Sequence, residues 1–199
     1  ELNGMWDGKI GIWAFSNHKV AKRKSKYRPA GTVEIFPAPV TAKEYERMLT
    51  NRLLPAINNL PPVLRNRAWR IQEDNATPHK KVRRGNVVRT EIQRLGLNIR
   101  FYAQPPRSPD FNINDLAFFS ALQASYDKLP RDEGIGAMIL AVQAAFEAYP
   151  METLNRMFLT LQSVLDKCIQ KQGGNDYKLS HLKKESLERQ EHKAQCRGA

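Results

Sequence analysis

Ala68-Trp69-Arg70-Ile71-Gln72-Glu73-Asp74-Asn75-Ala76-Thr77-Pro78-His79 is the stretch on which the fold turns. Ala68 to Gln72 predicts a strand leading to Asp74, and Pro78 predicts the start of a turn. A carboxylate at the C-terminal end of a strand points into the crevice where α/β sheets hold ligands. The plainer reading is that Asp74 caps a turn. Strand alternation sends the neighbouring Glu73 to the opposite face. Forty residues further on, Ser108-Pro109-Asp110-Phe111-Asn112-Ile113-Asn114-Asp115-Leu116 opens an apolar helix. Asp115 falls just before that helix or in its first turn. The plainer reading is an N-cap, with Asp110 able to cap the preceding turn. One helix and one strand fit between the two aspartates. That arrangement can bring both carboxylates to one end of a sheet, where two-metal phosphoryl-transfer chemistry places paired acids.

Upstream of this stretch, Lys9 to Phe15 is largely apolar and predicts a strand, followed by a polar loop over His18 to Arg28. Thr32 to Phe36 predicts a second strand, ended by Pro37 and Pro39. Thr41 and Glu44 have capping-box spacing. The helix they start carries Tyr45, Met48, Leu49 and Leu53 on one face, and Pro55 kinks or ends it. Downstream, Val82 to Leu95 predicts an amphipathic helix stopped by Gly96, with Gly85 weakening its first turn. Leu97 to Ala103 is a fourth strand, and Pro105, Pro106 and Pro109 make a stiff loop. Asn114 or Asp115 caps a helix through Tyr126, and further helices cover Arg131 to Ala148 and about Met151 to Gln172. The order predicts a mixed α/β sheet flanked by helices, with a helical C-terminal extension. Residues 6–127 read as a core, 128–172 as helices packed on it, and 173–199 as a charged tail expected to be disordered.

The 199 residues are 41% hydrophobic, enough for a sizeable core, and carry a formal net charge of +12. That surplus favours polyanionic partners. Lys and Arg form groups. One is the loop with Lys22, Arg23 and Lys24. A second surrounds the Asp74 motif: Arg65, Arg67, Arg70, Lys80, Lys81, Arg83 and Arg84. The second group flanks the candidate site and is assigned to a phosphate backbone. The tail's cations alternate with Glu185, Glu188 and Glu191 and read as a solvated face. His79 either orients an acid or phosphate or satisfies a turn. Trp13 and Trp69 read as core. Cys168 and Cys196 are too few for a disulfide framework and imply a reducing compartment, and with His181 and His192 they lack zinc-ligand spacing. No apolar run approaches the ~20 residues of a membrane span.

The segments Gln72 to His79 and Ser108 to Asp115 closely resemble the catalytic core of mariner-type transposases, in the branch with longer spacing between the last two acids. Asp7-Gly8-Lys9-Ile10-Gly11-Ile12-Trp13, Arg28-Pro29-Ala30-Gly31-Thr32-Val33-Glu34 and Leu116-Ala117-Phe118-Phe119-Ser120-Ala121-Leu122-Gln123 resemble the same branch, so the likeness runs from about Trp6 to Gln172. The resemblance implies an RNase H-like fold and DDE/D polynucleotidyl transfer, that is, metal-dependent DNA cleavage and strand transfer. It implies three carboxylates holding two Mg²⁺ or Mn²⁺ ions, with Asp74 matching the second acid and Asp115 the third. The first acid belongs to a strand upstream of Asp7-Gly8-Lys9, and Asp7 itself matches a later turn. The chain is then an N-terminally truncated catalytic domain, inactive alone, without the family's DNA-reading helix-turn-helix region. DNA partners (transposon ends and target) and a nuclear location follow from the same resemblance. The alternative is a non-catalytic DNA-binding protein derived from a transposase. A third reading makes the helices from Arg131 to Gln172 a homodimer surface.

Overall fold

The computed structural model describes residues 6–128 and 134–174. The expected charged tail and the start of the helix expected from Arg131 lie outside them. The chain is mixed α/β, and its strands form two separate pairs rather than one sheet. β1 (Ser16–Val20) and β2 (Val33–Pro37) are antiparallel, with Ser16 opposite Pro37 and Val20 opposite Val33. β3 (Trp69–Glu73) and β4 (Ile99–Ala103) are parallel, with Trp69 opposite Ile99 and Glu73 opposite Ala103.

The strand expected at Lys9 to Phe15 is not one, and β1 occupies the front of the expected polar loop. The apolar side chains of that run are used for packing instead of pairing. Ile10 packs into one core and Ile12 into another. Lys9 is fastened between them: its side chain is 8% exposed. Its Nζ donates to the carbonyls of Phe146 (3.2 Å), Glu147 (2.5 Å) and Tyr149 (3.3 Å). The Trp13 ring lies over Gly11, where a Cβ would sit 2.4 Å from it and the ring would have to move. β1 is mostly exposed, so no apolar alternation marks it in the sequence.

Helices cover one face of the β3/β4 pair. Thr41 caps α1 (Ala42–Met48), accepting from Glu44 N at 3.2 Å. Pro55 does not end this helix. The path passes through a π-helical turn, Leu49–Leu53, into α2 (Leu54–Asn58), with Pro55 in the first turn of α2. A wider turn accommodates a residue that has no N–H to donate. After α3 (Pro62–Arg65) and β3, Pro78 opens a helix rather than a turn, and the single helix expected over Val82 to Leu95 is two. These are α4 (Thr77–Arg84) and α5 (Val87–Arg94), divided where Gly85 is extended. Proline is well suited to a first helical turn, where its missing N–H is not needed. Leu49, Leu54, Ile57, Val82, Val88 and Leu97 form the core under these helices, with Trp69, Ile71, Ile99 and Phe101 from the strands packed against it.

The second core belongs to helices. A π-helical turn, Asn114–Phe118, leads into α6 (Phe119–Tyr126), followed by α7 (Ile135–Glu147) and α8 (Met151–Gln170). They bury Phe118, Leu122, Ala145, Phe146, Tyr149 and Met157. The hairpin rests on α7 where Gly136 leaves room for Ile35. No helix among the described residues is long and apolar enough to cross a membrane.

Leu54 is 0% exposed and Leu140 is 67% exposed. Leu54→Ala is expected to lower unfolding free energy by about 2–5 kcal/mol and Leu140→Ala by less than about 0.5 kcal/mol. Urea denaturation of the two variants checks this.

Candidate functional site at the end of β3

Trp69 and Ile71 turn toward the first core, and Glu73 follows them inward at 5% exposure. Arg70, Gln72 and Asp74 are exposed. Alternation therefore separates the two acids as the sequence implies, with Asp74 presented to solvent. Asp74 Oδ1 accepts from Ala76 N at 2.8 Å, so the turn-capping role is real. The same oxygen lies 2.6 Å from His79 Nδ1 in the first turn of α4. His79 is therefore placed beside the acid, in the position where either role expected of it is open.

Behind Asp74 lies a buried polar cluster. The His79 ring packs 4.1 Å from the Tyr45 ring, centroid to centroid. Tyr45 OH donates to Glu73 Oε1 at 2.6 Å, and Arg83 Nη1 lies 3.3 Å from Glu73 Oε2. His79 and Arg83 are four residues apart, so one face of α4 carries both toward β3. Burial raises the Tyr45 phenol well above its usual range, and the hydrogen bond to Glu73 adds to the shift. Burial also raises the Glu73 carboxyl, against the pull of Tyr45 and Arg83. Arg83 is therefore held by Glu73. Arg65 is likewise occupied, donating to Asn58 Oδ1 and to Leu95 O.

Three amide side chains fasten the Asp115 motif to the strand that carries Asp74. Gln72 Nε2 donates to Phe111 O at 2.8 Å. Asn75 Nδ2 donates to Gln104 O at 2.7 Å, and Gln104 Nε2 donates to Ser108 O at 2.8 Å. Pro109–Phe111 forms a short 3-10 turn before the π-helical segment. Neither Asn114 nor Asp115 caps the helix, contrary to expectation. Asn112 takes that position: its Oδ1 accepts from Asn114 N at 3.1 Å, and its Nδ2 donates to Asp115 Oδ2 at 2.9 Å. An Asx side chain two residues ahead satisfies the free N–H, so Asp115 is left exposed in the first turn.

The remaining assigned cations are dispersed. Lys80, Lys81 and Arg84 are exposed on α4, beside Asp74. Arg67 and Arg70 are exposed, and the Arg70 guanidinium lies 5.7 Å from the Tyr102 ring centroid. Lys22, Arg23 and Lys24 are exposed in the connection of the β1/β2 hairpin, a different sheet from that of Asp74. Lys178, Lys183, Lys184, Arg189, Lys193 and Arg197 lie outside the described residues. Trp69 lies at the edge of the first core, with Trp6 in edge-to-face contact at 5.9 Å.

Asp74 Oδ2 and Asp115 Oδ1 are hard oxygens of the kind Mg²⁺ and Mn²⁺ take. The type of donor fits these ions and the number does not. Among the described residues no group of three or more His, Cys, Asp or Glu is placed to hold a metal, so two carboxylates stand where a two-ion clamp uses more. The sequence places Tyr45 on an apolar helix face and Gln72 and Asn112 inside the two motifs without assigning them a role, and it does not single out Gln104. Only the polar positions of Gln72 and Gln104 next to strand ends hinted at their part.

The raised Glu73 carboxyl has a testable consequence. A folded pKa above the unfolded value means that the native state holds the proton more tightly. The stability this contributes is complete below the usual 4.5 and is lost as pH rises through the folded value. The stability of the wild type relative to Glu73→Gln is expected to fall as pH rises above 4.5. Urea midpoints of both proteins across that window check it, and a difference that stays flat or grows refutes it.

No family model matches the chain, and a search of curated proteins finds no match.

Proposed function

We propose that this chain belongs to a mariner-type DDE/D transposase catalytic core, an RNase H-like unit acting on DNA with Mg²⁺ or Mn²⁺. The observation that carries the reading is the Gln72–Phe111 hydrogen bond. It draws the loop before Asp115 onto the same strand face that ends in Asp74. A parallel strand pair joined through helices, preceded by an antiparallel hairpin and followed by helices, is in keeping with such a unit. When bound, the divalent ions would supply Lewis-acid stabilisation of the reacting phosphate oxygens. Asp74, fixed by Ala76 N and beside His79, and Asp115, held by Asn112, would each offer one carboxylate oxygen. Lys80, Lys81 and Arg84 would hold the phosphate backbone next to them. A nuclear location and a dimer belong to the same proposal.

The net charge of +12 supports one other reading, a DNA-binding protein that has kept this architecture without catalysis. Mn²⁺ separates the two. Under the transposase reading, Mn²⁺ broadens the amide resonances around Asp74 and Asp115 together, and Asp74→Asn abolishes both effects. Broadening at one site only, or at neither, overturns the shared cation site and leaves the DNA-binding reading. Both readings require phosphate contacts from α4. Removing Lys80, Lys81 and Arg84 together is expected to weaken duplex DNA binding and to flatten the log–log salt dependence by roughly two to three units. Fluorescence anisotropy at graded salt measures this, and an unchanged slope removes α4 from the interface.

A further inference from the structure

β4 pairs with β3 along one side only, and among the described residues no strand pairs with its other edge. Beside that edge, on the covered face of the pair, lies α5, whose Val88 is buried in the core beneath. Between them runs a groove of about 590 Å³ into which four successive residues of β4, Ile99 to Tyr102, open. Four successive residues of β4 line it together with Leu49 and Val82 of the core, so the groove runs from the covered face of the pair to the edge of β4. Val88 and Ile92, one turn apart on α5, form its apolar wall with Phe101. Arg89 and Arg100 flank it, both exposed and neither in an ion pair among the described residues. Glu73 reaches the floor but is already matched by Arg83 and Tyr45. The open charge of the groove is therefore positive.

We propose that this groove binds an extended acidic peptide segment of a partner protein, added as a third strand beside β4. A free strand edge offers backbone N–H and C=O groups at the ~3.3 Å repeat of a peptide. The five residues of β4 match a strand of about 16 Å. Side chains of the added strand alternate. One set lies over Val88 and Ile92 and is apolar. The other lies on the Arg100 side and is acidic. A second copy of this chain is a poor occupant, because each copy carries a net charge of +12. A nucleic acid satisfies the arginines but has no backbone that pairs with a strand edge. The proposal uses neither Asp74 nor Asp115 and stands apart from the function proposed above.

The test uses the full chain and a fluorescein-labelled hexapeptide of alternating valine and glutamate, followed by fluorescence anisotropy. Saturable binding is expected. Methylating alternate backbone nitrogens of the peptide, replacing its glutamates with lysines, or introducing Arg89→Glu with Arg100→Glu should each weaken binding by about tenfold or more. Both arginines are exposed, and circular dichroism confirms that the double variant is folded. Equal binding of the methylated or the lysine peptide overturns the proposal, as does absence of binding at low salt. A labelled single-stranded oligodeoxynucleotide that displaces the peptide and loses affinity in the arginine variant also overturns it, assigning the groove to nucleic acid instead.

Discussion

The placement of the candidate site depends on three amide side chains. The β3/β4 ladder ends at the Gln104 N–Glu73 O bond, and the loop that follows to Ile113 contains three prolines and only turn hydrogen bonds of its own. Gln72, Asn75 and Gln104 supply what the ladder would, each donating to a carbonyl of the other segment or of the loop itself. Prolines narrow the conformations open to the loop, and the amides select one. Asn112 then completes the local order by taking the helix-start position that Asp115 would otherwise occupy. A carboxylate that caps a helix is engaged with backbone N–H groups. One relieved of that role keeps an oxygen for other partners.

The second constraint lies beneath the first. A glutamate at 5% exposure is costly unless it is paired; Tyr45 donates to one of its oxygens and the Arg83 guanidinium lies 3.3 Å from the other. These contacts tie α1 and α4 to the end of β3. Through the Tyr45–His79 ring contact they also fix the imidazole that touches Asp74. The exposed acid is thus oriented by a chain of side chains rooted in the core. Such preorganisation is what a chemical site needs of its scaffold.

Strong local signals were legible in the sequence. Trp69 to Glu73 and Ile99 to Ala103 lie within two residues of where apolar patterning and turn residues place them, and Thr41 caps the helix its spacing predicts. Features set by tertiary context were not. Lys9 to Phe15 looks like a strand because Ile10 and Ile12 are apolar, yet they serve two different cores. β1 is hidden because its residues face solvent on both sides. Pro55 reads as a stop only when a regular α-helix is assumed, and a π-helical turn removes that assumption. Asp74 and Asp115 were found by motif. Gln72 and Asn75 stand in the same motif as Asp74, but their partners lie 39 and 29 positions away, so their positioning role depends on the fold.

Lys9 joins the two cores through carbonyls 137 to 140 residues further along the chain. Closing so long a loop carries an entropic penalty that rises only with the logarithm of its length. Lengthening the surface connections that lie between these residues therefore changes the tether's strength very little, whereas all three of its bonds come from one ammonium group. The architecture is permissive toward insertions and strict at a single cation, an asymmetry that a comparison of connection lengths alone would overlook.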